Sequence, residues 1–213
     1  MRKYKDFLLL IIFTMGSQVL IYFLISFLIH DFNLLTSIIE VPLVKPFAFI
    51  YNSWYPFILF VAFIIYKYNR KMFYLMISVM LITALLAQIT FVVYPSMIER
   101  PTIEVNNFTD ALLDLTYKCD TPAANCLPSM HCMYCFIIIY FIMGCKKIDI
   151  KKRLFIVAYL YAIILSTLFT KQHIIEDAIL AFLYAVSTIC IVKHNKARIV
   201  NCTSKVLKKL RII

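Results

Sequence analysis

No formally charged residue interrupts the chain from Phe7 to Ile29, Pro46 to Tyr66, Met72 to Ile98, Leu127 to Cys145, or Leu154 to Thr170. Ala178 to Val192 forms a sixth, shorter run, which lengthens if the polar residues just before it count as its mouth. Crossing a hydrocarbon core of about 30 Å takes about 20 residues of helix. Each run fits one crossing, and six leave no room within 213 residues for a separate soluble domain. The composition agrees: 63% of the residues are hydrophobic and only 2 are Gly, whereas a soluble domain is nearer half apolar. The expectation is an all-α, polytopic membrane protein with about six transmembrane helices bundled within residues 1–192. Arg2, Lys3 and Lys5 precede the first run in the manner of a signal peptide. Its apolar part exceeds the roughly 7–15 residues of such a segment and no small-x-small cleavage site follows, so a retained helix is expected.

The net charge of +11 raises the question of nucleic acid, and the placement of the charges answers it. All but four of the 22 Lys and Arg lie before the first run, in Lys67–Lys71, in Lys146–Arg153 or after Val192. The four others are Lys45, Arg100, Lys118 and Lys171. That alternation is the positive-inside pattern of six spans with both termini in the cytoplasm. Attraction to anionic inner-leaflet lipids accounts for the excess, and no nucleic-acid partner is implied. The tail at 193–213 is basic, with apolar Val206, Leu207, Leu210 and Ile213, and is expected to lie on the inner surface as an amphipathic helix.

This topology puts segments near 30–45, 96–127 and 171–174 outside. The middle one is the longest and is rich in Pro, Asp, Asn and Thr; loops of that length and polarity are often functional. Within it Phe108–Tyr117 reads as a short amphipathic helix along the membrane surface, with Thr109 as its cap. Pro42, Pro46 and Pro56 predict a helix that starts late or bends. Cys119 and Cys126 share this outer loop, where an oxidising compartment would permit a disulfide. Cys132 and Cys135 form a C-x-x-C inside an apolar run with no second pair, and read as packing residues. No internal repeat or low-complexity tract is present.

Ionisable residues at the mouth of a membrane helix are costly and mark functional candidates. Two clusters qualify: Pro128-Ser129-Met130-His131 and Lys171-Gln172-His173-Ile174-Ile175-Glu176-Asp177. His173 and Asp177 are four apart, so on a helix they share a face and the carboxylate reaches the imidazole. That leaves the other ring nitrogen as base or nucleophile. His131 starts a different helix at the same membrane face, so one histidine can attack while the other protonates a leaving group. Both helices run outside to inside and present N-termini, which favour anions. Pro128 suits a first helical turn, Ser129 adds a hydroxyl donor, and Arg100 and Lys171 place cations close by. His30 and His194 read as interfacial residues, Glu176 as a solvated helix cap, and Lys118 as a solvated loop charge.

These residues resemble the type 2 phosphatidic acid phosphatase superfamily, whose pattern is a Lys with Arg-Pro, then Pro-Ser-x-His, then Ser-Arg-x5-His-x3-Asp. Arg100-Pro101 looks like the end of the first block, and Pro128-Ser129-Met130-His131 matches the second. Ser166-Thr167, His173 and Asp177 keep the spacing of the third. The resemblance covers about Phe91 to Ala185, and the wording of the third block looks like the branch of inositolphosphorylceramide synthase-like and related phosphotransferase-like members. It implies that His173 is the nucleophile forming a phosphohistidine, that Asp177 orients it, and that His131 is the general acid. It further implies that Arg100, Ser129, Lys171 and Ser166 hold the phosphoryl oxygens, with no metal and no cofactor. The substrate implied is a lipid with a phosphate head group, a phosphomonoester or pyrophosphate, hydrolysed on the extracytoplasmic side of the cell membrane. Transfer of a phosphate-bearing group to an alcohol, and anion binding without chemistry, are the alternatives. Two family cations are replaced here: the Lys by Val93 and the Arg by Thr167. Oligomeric state is left open by the sequence.

Overall fold

The structure, a computed structural model, describes residues 4–199 together with 201 and 205. The amphipathic helix expected over the basic tail falls largely outside the described residues. Among the described residues there are nine α-helices: α1 (Lys5–Ile11), α2 (Ser17–Leu28), α3 (Phe47–Asn52), α4 (Trp54–Tyr68), α5 (Arg70–Val93), α6 (Phe108–Cys119), α7 (Met130–Gly144), α8 (Ile150–Phe169) and α9 (Ile175–His194). A π-helical turn, Ile12–Gly16, joins α1 to α2 without a break, so Lys5–Leu28 is one rod. That rod, α5, α8 and α9 are long and apolar enough to cross a membrane, and α4 and α7 are shorter apolar helices. Their outer faces are apolar as well: Phe13, Leu20, Phe27, Val93, Phe155 and Leu183 are all exposed. A solvent of hydrocarbon makes such faces stable, and water does not. The chain is built as a membrane protein.

α7 is apolar all round because it is surrounded, packing on α8, α9, α5 and α4. Tyr134, Met133, Ile137 and Ile138 on it are fully buried, as are Cys132 and Cys135, which fill the core as small side chains. Several helix starts, those of α5, α6, α7 and α8, are fixed by side-chain caps of the usual kind. Asn69 accepts from the Met72 N–H at 3.1 Å, and Ser129 from the Cys132 N–H at 3.3 Å. Asp149 accepts from the Lys151 N–H at 2.9 Å. At the end of the bundle where α1 begins, the buried carboxylate of Asp6 accepts from Tyr66 at 2.7 Å and from Tyr74 at 2.8 Å.

The opposite end carries three connections that fasten onto one another. After α2 the chain forms β1 (Asn33–Leu35), which pairs in parallel with β2 (Ser96–Ile98) after α5, Leu34 opposite Met97. Met97 also bridges to Ala124, just ahead of α7. Three-residue strands carry no alternation to read, so the all-α expectation missed this sheet. The Met72–Ile98 run is likewise divided: Tyr94 and Pro95 end the helix, and Ser96–Ile98 becomes strand. The helix in the long loop spans Phe108–Cys119 and is capped by Asn107, which accepts from the Asp110 N–H at 3.0 Å, rather than by Thr109. Its Leu113 and Tyr117 pack on Ala48 of α3 in a small second core. The proline-rich segment bends at Ser53, between α3 and α4.

Glu176 corrects its reading as a solvated cap. Its carboxylate accepts from the Ser37 hydroxyl at 2.9 Å and the Ile38 N–H at 3.0 Å, tying the loop after β1 to the start of α9. Lys118 is exposed and pairs with Asp114 one turn away at 2.6 Å.

Candidate active site

The α8–α9 turn decides where His173 points. The Thr167 carbonyl accepts from the N–H groups of both Gln172 (3.0 Å) and His173 (3.1 Å), and Lys171 takes a left-handed φ of 53° to close the bend. His173 therefore stands one residue before the helix cap rather than on a helical face. Asp177 sits at the third position of α9 and reaches back. Its Oδ2 accepts from the Ile174 N–H at 3.1 Å and lies 3.1 Å from Nδ1 of His173. Asp177 is fully buried, so the pairing is shielded from water and from salt.

α7 joins this arrangement through its own start. The Ser129 N–H donates to the Asp177 carbonyl at 3.3 Å, which brings His131 toward His173 with ring centroids 6.0 Å apart. Tyr51 stacks on His131 at 4.8 Å and Trp54 lies against it at 4.3 Å. Among the described residues no hydrogen bond holds either ring nitrogen of His131, and the aromatic walls fix its plane instead. Both histidines line a cavity of about 310 Å³ between α2, α3, α6 and α7. His173 also lines a second cavity, toward β1, together with Lys171, Glu40 and Glu99.

The expected phosphate-binding residues separate into two groups. Lys171 stands on the second cavity beside His173. Ser129, Ser166 and Arg100 do not lie on the wall of either cavity. The Ser129 hydroxyl is the α7 cap, and the Ser166 hydroxyl donates to the Ile163 carbonyl of its own helix at 2.6 Å. Arg100 lies behind the first cavity. Its guanidinium donates to the Asp120 carbonyl at 2.8 Å, to the Asp120 carboxylate at 2.5 Å and to Gln172, and it sits 5.1 Å from the centroid of the Tyr117 ring. Burial pushes the Tyr117 hydroxyl up to about 12, so it stays protonated and donates to the Thr170 carbonyl at 2.7 Å. Of the two positions where the resembled pattern carries a cation and this chain does not, Val93 is exposed on the outer face and Thr167 is buried in the turn just described.

Sequence reasoning missed Asp120, Tyr51 and Trp54, and it gave Gln172 no role of its own within the second cluster. Asp120 and Gln172 meet Arg100 only through the folding of a long loop, so no spacing announces them. Trp54 is the chain's only tryptophan, within the Pro46–Tyr66 run, and that was the one available signal. Cys119 and Cys126 are free thiols. Cys126 is buried and donates to the Ala123 carbonyl at 3.1 Å, and burial pushes its thiol up, which makes it a poor partner for oxidation. Among the described residues no three His, Cys, Asp or Glu side chains are grouped to hold a metal ion. Comparison with protein-family models, with curated proteins and with solved structures finds no match to this chain.

Proposed function

We propose that the protein is a multi-pass membrane enzyme of the type 2 phosphatidic acid phosphatase kind, hydrolysing a lipid phosphate through a phosphohistidine on His173. One observation carries the reading: His131 in the first turn of α7 and His173 just ahead of α9 meet on one cavity wall while a buried Asp177 engages Nδ1 of His173. In the first step Nε2 of His173 attacks phosphorus. The P–N bond forms, the P–O bond to the lipid alcohol breaks, and His131 gives the departing oxygen its proton. In the second step water attacks phosphorus, His131 takes a proton from it, and the P–N bond breaks to release phosphate. The phosphoryl oxygens then lie against the first turns of α7 and α9, where backbone N–H groups favour anions. Lys171 approaches from the second cavity. Arg100 acts behind the wall by holding Asp120 and Gln172.

The membrane arrangement proposed with it has six crossings, α3 and α4 together making one and α7 another, with both termini cytoplasmic and the site on the outer face of the cell membrane. The clustering of Lys and Arg supports it. Cys119 is exposed at the site end, so a membrane-impermeant maleimide should label it in intact cells and fail on Cys119→Ser. Labelling that required permeabilised cells would reverse the sidedness.

Transfer to an alcohol acceptor in place of water is the second reading, favoured by the aromatic and aliphatic wall beside His131. The test for both is phosphate release from a panel of lipid phosphates by purified protein with chelator present, wild type beside His173→Ala. Release by wild type alone supports the phosphatase. Release by both removes His173 from the chemistry, and an intact anion affinity in the variant without any turnover in wild type would leave a binding protein.

A further inference from the structure

We propose that the first cavity seats the organic part of the substrate and selects a neutral amphiphile bearing more than one hydroxyl. This deepens the phosphoryl-transfer reading and rests on it, because it assigns the wall next to the two histidines to the alcohol that departs from, or accepts, the phosphoryl group.

Three of the side chains on this wall are amides buried to more than nine-tenths: Gln18, Asn125 and Gln172 are 7%, 3% and 1% exposed. Each spends one end of its amide inside the protein. Gln18 accepts from the Tyr134 hydroxyl, Gln172 accepts from Arg100, and Asn125 donates to the Ser26 hydroxyl at 2.7 Å. The other end of each, two nitrogens and one oxygen, has no protein partner among the described residues. These three unpaired atoms belong to residues that line the cavity and are themselves closed off from solvent. Buried amides are rarely left unpaired, because the desolvation is then uncompensated.

The charge of the wall decides what they pair with. Among the described residues Asp120 is its one formally charged side chain apart from the histidines, and no lysine or arginine lines it. Asp120 is already answered by Arg100 and accepts from Tyr22 at 2.7 Å. A nearly neutral wall of amide donors and acceptors suits hydroxyl groups, which donate and accept, and does not suit a second phosphate or a cation. Met15, Val19, Phe23, Leu112 and Leu115 supply the apolar remainder, matched to an alkyl chain.

Trp54 lines the cavity and is the only tryptophan, so its fluorescence reports occupancy without any phosphate chemistry. The full-length protein in detergent is titrated with 1-O-dodecylglycerol and, separately, with the same molecule methylated on both hydroxyls. The diol should give a saturable Trp54 response at least about tenfold tighter than the diether. Gln18→Leu should narrow that preference, and Trp54→Phe serves as the blank. Equal affinity of the two probes for wild type, or no saturable response to the diol, overturns the proposal without recourse to any variant. Adding the diol during hydrolysis of a lipid phosphate separates its two possible origins. Phosphorylation of the diol marks an acceptor, and inhibition without phosphorylation marks the leaving alcohol. A diol preference with no phosphate release from any lipid would sink the phosphatase reading alone. Phosphate release without a diol preference would sink the subsite alone.

Discussion

The backbone N–H of Ser129 donates to the carbonyl oxygen of Asp177 at 3.3 Å, fastening the first turn of α7 to the first turn of α9. Asp177 thus serves both histidines. Its carbonyl places the helix that carries His131, and its carboxylate engages His173 and the Ile174 N–H.

Asp177→Asn keeps the size of the side chain and an acceptor for the Ile174 N–H, but removes the charge that steadies His173. Phosphate release should fall by a factor on the order of 10²–10⁴, while the unfolding midpoint in detergent moves little. Asp177→Ala should lose both activity and stability. An Asn variant that kept full activity would show that the carboxylate does not orient the nucleophile.

His131 has a different signature. As the acid for the departing oxygen it matters most when the leaving alcohol is poor. His131→Gln should slow release from an alkyl phosphate by about 10²–10⁴ and slow a nitrophenyl phosphate far less, since that leaving group departs without a proton. Equal losses on both substrates would assign His131 to binding instead.

Much of this architecture was legible in the sequence. Four charge-free runs correspond to the four long helices, although each helix begins before its run. α5 starts at Arg70 and α8 takes in Lys151, Lys152 and Arg153, because long basic side chains at a helix end stretch toward water while their stems stay apolar. The His173–Asp177 pair was legible from its spacing, but its mechanism was not. The carboxylate reaches back over a helix start instead of along a helical face. The partners of Arg100, the rings around His131 and the β1–β2 pairing were not legible. Each depends on contacts between segments far apart in sequence, and neither periodicity nor local spacing records those.

The Arg100–Asp120 pair is largely enclosed, with the two side chains 9% and 31% exposed. Removing one partner leaves the other charge poorly solvated. Arg100→Ala and Asp120→Ala should each destabilise the fold. A double-mutant cycle on unfolding in detergent should give a coupling energy of about 1–3 kcal/mol. A coupling near zero would mean that Arg100 is free to serve the substrate directly.

Lys45 pairs with Asp110 at 2.9 Å and, with backbone N–H groups ahead of α6, holds the Asp110 carboxyl below its usual range. A depressed carboxylate stabilises the fold fully above its unfolded value of about 3.9, and that contribution is lost as pH falls through the lowered folded value. Protection of α6 from a protease should therefore weaken on acidification from about pH 5 to pH 3. Lys45→Met should flatten that dependence. An unchanged acid profile in the variant would remove Lys45 as its cause.

The central claim is a covalent phosphoryl group on His173. The protein is mixed with a lipid phosphate radiolabelled on phosphorus, in chelator, and quenched in alkali within the first turnover. Label stable to alkali and lost in acid, present in wild type and absent from His173→Ala, is the predicted result. Substrate turnover without such label in wild type, or equal labelling of the two proteins, would contradict it.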